Sequence, residues 1–445
     1  MLAAALLSAA PASAIMAGSA TVDPPDSPAD RVDPNTTTSA WAGVGSLSVG
    51  ANAFSAVAIG RRYVLTAAHV AKGADPANVK FNLNFGSSLS HRIPAAAVFA
   101  HPAFISFNNP DAQHDVAIVE LAEDLPAGVP IYPLHFAEIA AGTRLVMVGY
   151  GATGQGDVGA TVGGNAGIKR VGSNNADQFE LDADGSGRNA LFMFDFDGGS
   201  ASNVLGGPSL GNRVETSLAG GDSGSPSFVL AGGQWKVAGV NTFIFTFNGG
   251  PTVTSTFGTG GGGNLVWPYQ AWISSILERP GNDTFVNRFV LAGAGGALKA
   301  SSAGATKQTG EPNHAGDSGG KSVWWRWVAP QTGPVSIDTH GSSFDTVLAV
   351  YTGTAVNALT AVASNDDDGS AGHASAVVFT AQAGTEYQIV VDGRGGVSGD
   401  VSLQWGAATA VSADIPVLPH WGIALLGLGL IAVTLFLSAD RHRSG

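Results

Sequence analysis

Gly221-Asp222-Ser223-Gly224-Ser225-Pro226 decides how the chain is read. A serine set between glycines is open to an approaching carbonyl, yet its hydroxyl is a poor nucleophile at neutral pH. It needs a histidine within hydrogen-bond reach to take its proton, and a carboxylate to hold that histidine in one tautomer. Two upstream segments supply those residue types. Tyr63-Val64-Leu65-Thr66 reads as a buried strand running into Ala67-Ala68-His69, where two small residues let the backbone turn tightly behind the imidazole. Asp115 opens Val116-Ala117-Ile118-Val119-Glu120-Leu121, an apolar strand, which puts its carboxylate at a buried edge. A buried carboxylate is costly unless hydrogen-bonded, and the ring N–H of His69 answers that need. His101 and His114 are poorer candidates for the base, because neither stands at a strand end backed by small residues. The three chosen residues lie 46 and then 108 positions apart.

The order His69, Asp115, Ser223 and the three flanking segments resemble the trypsin-like (chymotrypsin-fold) serine proteases, over roughly residues 32 to 278. Val148-Gly149-Tyr150-Gly151 and Gly263-Asn264-Leu265-Val266-Trp267-Pro268-Tyr269 are similar to further segments of that family. The resemblance implies that His69 acts as base and then acid, Asp115 orients it, and Ser223 forms the acyl-enzyme. It implies an oxyanion hole from the backbone N–H groups of Gly221 and Ser223, each such donor being worth about 3 kcal/mol of barrier. It also implies that Ser217, six residues before the nucleophile, stands at the base of the primary specificity pocket, with Leu218, Thr242 and Phe243 around it. Those side chains are neutral and partly apolar, so cleavage after bulky apolar or aromatic residues is expected. In the family, the residue at Asp222 pairs with a newly freed N-terminus. Cleavage after Arg31 would expose Val32, 37 residues before His69, and that bond is the expected activation site. Gly316-Asp317-Ser318-Gly319-Gly320 matches the serine signature more literally, but Ser322-Val323-Trp324-Trp325-Arg326-Trp327 follows it as an aromatic strand, so Ser318 reads as a turn residue.

Composition sets the frame for these motifs. The 445 residues exceed what a single core holds, which predicts two domains plus tails. Charged residues make up 12% and glycines number 62, favouring an all-β architecture with many tight turns. The formal net charge of −13 disfavours nucleic acid as a partner, since phosphate binding needs clustered Lys and Arg. Cysteine is absent, which excludes disulfides and thiolate-held metals.

The predicted organisation has five parts. Residues 1–14, apolar and ending Ala12-Ser13-Ala14, read as a signal peptide. Residues 15–31, with their Pro, Asp and Ser, read as a linker or pro-segment. Residues 32–280 form the chymotrypsin-like double β-barrel. Residues 281–406, with Ser343-Phe344-Asp345-Thr346-Val347-Leu348 and Tyr387-Gln388-Ile389-Val390-Val391-Asp392, resemble PPC-like β-sandwich domains that accompany secreted bacterial proteases. Residues 407–445 hold a spacer, a transmembrane helix and a basic end. Ile415 to Ser438 carries no Asp, Glu, Lys or Arg, and Arg441 and Arg443 follow it. Its opening, Ile415-Pro416-Val417-Leu418-Pro419-His420-Trp421-Gly422, resembles the IPTL-type sorting signals of Gram-negative bacteria and implies a processing enzyme there. No cofactor is required; Asp366, Asp367 and Asp368 form an acidic turn able to attract calcium. The sequence thus points to an exported, envelope-anchored or processed serine endopeptidase acting on proteins or peptides. A non-catalytic surface-binding protein on the same scaffold, or a serine esterase, are the alternatives.

Overall fold

The computed structural model describes residues 15–106, 112–198, 203–369 and 372–408. Strands dominate. The first six, β1 (Val44–Val49), β2 (Asn52–Ala58), β3 (Tyr63–Thr66), β4 (Val79–Leu83), β5 (His91–Ala100) and β6 (Ala117–Leu121), close into a barrel in the order β1-β2-β3-β6-β5-β4. Its antiparallel register sets Leu65 of β3 opposite Ile118 of β6. All five residues of β6 are buried, so the usual period-two alternation is lost. One face of β6 fills the barrel core, and Glu120 on the other accepts a hydrogen bond from Asn287 Nδ2 at 2.5 Å, in the segment that follows the peptidase region.

A second sheet follows. Its strands are β7 (Thr143–Gly149), β10 (Arg170–Ala176), β11 (Gln178–Leu181), β12 (Asn189–Asp195), β13 (Pro226–Ala231), β14 (Gln234–Thr246) and β15 (Thr259–Leu265). A two-stranded ribbon, β8 (Thr153–Gln155) with β9 (Gly159–Val162), lies between them in sequence. The sheet order β10-β7-β13-β14-β15-β12-β11 is open where a second closed barrel was expected. The Asn174 side chain spans the gap instead, donating to the backbone oxygens of Asp195 and Thr216 at 2.6 and 2.8 Å. One helix, α1 (Ala68–Ala71), follows β3, and another, α2 (Gln270–Leu277), buries Ile273 and Ile276 against the first barrel.

Residues 15–31 are not a linker. Ile15 joins the apolar core of the second sheet, and Met16 packs with Ala152, Phe196 and Ala219. The Met16 and Ala17 amides donate to the Ser217 and Gly154 oxygens. The unit built on the second sheet therefore includes Ile15 to Ala17, ahead of the boundary expected at residue 32.

From Phe285 the chain builds a β-sandwich. One sheet orders Phe289–Leu291, Val323–Val328, Glu386–Gly393, Thr346–Thr352 and Thr360–Asn365. The other orders Gly296–Ser301, Asp400–Ala407, Gly333–Asp338 and Ala376–Ala381. Trp325, Trp327, Val350, Phe379 and Leu403 share the core between them. Among the described residues, no helix is long and apolar enough to cross a membrane. The expected signal peptide (1–14) and the apolar run from Ile415 to Ser438 lie outside the described residues.

Candidate active site

Strand β3 ends at Thr66, and Ala67, with extended φ/ψ, turns the chain into α1, whose second residue is His69. Asp115, with no exposed surface, stands just before β6, the strand paired to β3. Its carboxylate grips the histidine twice. Oδ2 lies 2.7 Å from His69 Nδ1, and Oδ1 accepts the His69 backbone N–H at 2.7 Å. A ring held at its own backbone and at Nδ1 is fixed in orientation, which sets Nε2, on the far side of the ring, as the proton acceptor. The Asp115 amide donates to Asn264 Oδ1 at 3.3 Å. Asn264 Nδ2 donates in turn to the Ala112 oxygen and to Thr242 Oγ1. Tyr269 Oη closes this layer, donating to Asn264 Oδ1 and accepting the His114 N–H. His101 and His114 stack on each other 5.1 Å apart, and burial, followed by the neighbouring His114, pulls the His101 pKa down to about 4.

The serine segment arrives from the other half of the peptidase unit. Gly224 has φ of +82°, and a Cβ there would overlap Thr66 Oγ1 and the Ser55 oxygen and come within 3.1 Å of the Ala67 nitrogen. The Ser223 oxygen also accepts the Ser55 N–H at 3.0 Å. Only a glycine allows this approach, which seats partly exposed Ser223 against the backbone that carries His69. Gly221, at φ +91°, turns the chain just before it. Neither the Gly221 nor the Ser223 amide donates to another described residue, so both N–H groups are available to an oxyanion. Ser318, by contrast, lies in a turn of the sandwich, its oxygen accepting from Lys307.

Asp222 is the third feature of the loop. It is 1% exposed and accepts N–H groups from Ile15 at 2.9 Å and from Gly151 and Ala219 at 3.1 Å. Burial lifts its pKa to about 7 in spite of those donors and of Arg170. The nitrogen at Asp222 belongs to Ile15 and not to Val32, the residue expected there from cleavage at Arg31–Val32. Val32 bridges Arg170 with its side chain 43% exposed. Arg31 is buried, bound to Asp26 and to the oxygens of Asn212, Val214 and Glu215.

These arrangements have a counterpart among known proteins. The chain carries a trypsin-like peptidase domain, matched over residues 54–240. That span holds His69, Asp115 and Ser223. The match supports reading those residues as a serine-protease core. Among solved structures, neuropsin, a serine protease expressed in the limbic system of mouse brain, is 17% identical, with 53% of this chain and 93% of that one covered at a TM-score of 0.38. No curated protein matches the chain.

The structure also places the remaining expected site residues. Ser217 and Leu218 have almost no exposed surface and Thr242 has little, while Phe243 is half-buried. The acidic turn does not converge on one point. Asp366 and Asp367 meet Arg394 at 3.4 Å, Asp367 also meets His373, and Asp368 meets His340 at 2.8 Å. Arg394 and two imidazoles of the chain itself lie against these carboxylates, and the three share no common centre. Sequence reading passed over Ser55, Asn264 and Ile15. Asn264 had one signal available, as the first polar side chain after Gly260-Gly261-Gly262-Gly263.

Proposed function

We propose that the chain is a serine endopeptidase whose active form begins at Ile15. Ser223 Oγ attacks the scissile carbonyl carbon while its proton passes to His69 Nε2. Asp115 holds the imidazolium that results, and the Gly221 and Ser223 N–H groups take the oxyanion. The same proton then goes to the leaving amine as the acyl-enzyme forms, and water repeats the cycle. The observation that carries this reading is the two-point hold of Asp115 on His69, beside a Ser223-Gly224 backbone pressed against Thr66 and Ala67.

The start at Ile15 rests on charge. A carboxylate buried among N–H dipoles, with its pKa lifted to about 7 in spite of Arg170, has room for a cation in direct contact. Cutting the Ala14–Ile15 bond turns the nitrogen 2.9 Å away into an ammonium. It also removes the φ torsion of Ile15, which at 20° strains a β-branched residue. Export fits this reading, since Ala12-Ser13-Ala14 suits leader removal at that bond, with the run from Ile415 to Ser438 as anchor or sorting signal.

The test is labelling by a fluorophosphonate probe of protein beginning at Ile15, with Ser223→Ala and Ser318→Ala beside it. Labelling lost only in Ser223→Ala is expected. Labelling that persists in Ser223→Ala, or none in the parent, overturns the assignment.

A further inference from the structure

We infer that the enzyme cleaves after small residues, because its own side chains fill the space that a bulky one would need. This rests on the peptidase reading above. The residue preceding the scissile bond must lie beside Ser223. There the Gly224 amide donates to the Asn241 oxygen and the Asn241 amide to the Ser225 oxygen, so the strand segment from Asn241 to Ile244 forms one wall. The loop from Ser217 to Gly220 forms the other.

Between these walls the structure is packed. Ser217 is 0% exposed and its Oγ meets no partner, and Leu218 is 2% exposed. Leu218 lies in one apolar cluster with Phe194, and Ile244 packs against it. Ile244 is the register partner of Gly261 on β15, a strand buried along its whole length. A Cβ placed on Gly261 would stand 2.7 Å from the Phe194 ring and 3.4 Å from Leu218 Cδ1, so the room glycine leaves there is already occupied. An aromatic side chain buries roughly 150–250 Å² when it enters a pocket. Ser217 and Leu218 expose almost nothing and cannot supply that area, and Phe243 and Ile244 are themselves half-buried, whereas a methyl or hydroxymethyl group needs little of it. No carboxylate lies among these residues, so a Lys or Arg has no counter-charge here either.

Cleavage after small residues departs from the expectation of bulky apolar cleavage for a physical reason. Ser217 was correctly a neutral residue, but Phe194 and Ile244, on strands remote in sequence from it, turn toward the same space.

The experiment uses peptide ester or anilide substrates differing only at the residue before the scissile bond, Ala, Phe or Arg. They are assayed on protein beginning at Ile15, with active sites counted by fluorophosphonate. The expected result is kcat/KM at least tenfold higher for Ala than for Phe or Arg. Leu218→Gly and, separately, Ile244→Gly should raise the Phe-to-Ala ratio at least tenfold, each counted per labelled site so that a poorly folded variant is not misread. A labelled parent enzyme that prefers Phe or Arg overturns the inference and leaves the peptidase reading standing. A parent that takes no label overturns both.

Discussion

The Ile15–Asp222 contact allows a quantitative forecast for an N-terminal extension. A unit charge 2.9 Å from the Asp222 carboxylate gains about 6 kcal/mol at an effective dielectric of 20. Removing the ammonium from water costs several kcal/mol of that, leaving about 2–4 kcal/mol in favour of the seated N-terminus. The seated segment holds Asp222, and Asp222 holds the turn that aims the Gly221 and Ser223 amides. An energy of that size shifts the competent population by about 30- to 1,000-fold. Protein beginning at Ile15 should therefore take fluorophosphonate, and turn over ester, faster than the same protein with one added N-terminal residue by that factor. The pH dependence carries a sign. A free α-amino group has a pKa near 8, and pairing with a buried carboxylate raises it. Its contribution is complete below about pH 8 and is lost as pH rises through the raised value, so the trimmed enzyme should lose activity reversibly in alkali. The extended form has no such group and should show no such limb. Equal rates for the two forms, with no alkaline loss in either, would refute the reasoning.

Three further outcomes follow from named contacts. Gly224→Ala places a methyl group into Thr66 Oγ1 and the Ser55 oxygen at a φ of +82°; denaturant unfolding should show a loss of at least about 3 kcal/mol, with labelling abolished. Asn264→Ala leaves the Asp115 amide and the Thr242 hydroxyl without their partner, about 1–3 kcal/mol, and should slow labelling roughly 10- to 100-fold while Asp115 and His69 remain. Glu120 has its pKa pushed to about 7 by burial and then by Asp283, against Arg62, Arg279 and the Asn287 hydrogen bond. A carboxyl held above its unfolded value stabilises the fold fully below about pH 4.5 and loses that contribution as pH climbs toward 7. Glu120→Gln should flatten this slope in thermal unfolding between pH 5 and 8, and an unchanged slope would rule Glu120 out as its source.

The sequence made the meeting of His69 and Asp115 in the candidate site legible because the chemistry restricts what may surround each group. A base at a strand end needs small residues behind it, and a carboxylate opening an apolar strand needs a donor. A serine loop that must approach another backbone needs glycine on its far side. Each requirement is local, and each shows in a few letters around His69, Asp115 and Ser223. The sandwich was expected from the resemblance to PPC-like domains, and the run holding Trp324, Trp325 and Trp327, read as an aromatic strand, is a strand that buries all three. What escaped were relations between distant segments. Ile15-Met16-Ala17 is an apolar triplet at the head of a stretch rich in Pro, Asp and Ser, and composition averaged over the stretch hid it. The orientation of Phe194 toward Gly261 depends on how β12 and β15 pair, which no local pattern records.

The two proposals meet at one bond. Ala14–Ile15 carries a small residue on its acyl side, the class a pocket filled by Leu218 and Ile244 admits. On its amine side it carries the nitrogen that Asp222 awaits. Where the leader has not been removed, a molecule already trimmed is expected to cut the next one at the same bond. Full-length Ser223→Ala protein cannot cut itself, which makes it a clean substrate. Mixed with a small fraction of active enzyme, it should acquire Ile15 as its N-terminus at a rate proportional to the enzyme added. Adding Ala14→Phe to that substrate should slow the trimming at least tenfold, since the change enlarges only the side chain that enters the pocket. Trimming that runs as fast with Ala14→Phe in place, or that stops at Arg31 instead, would separate the two proposals again.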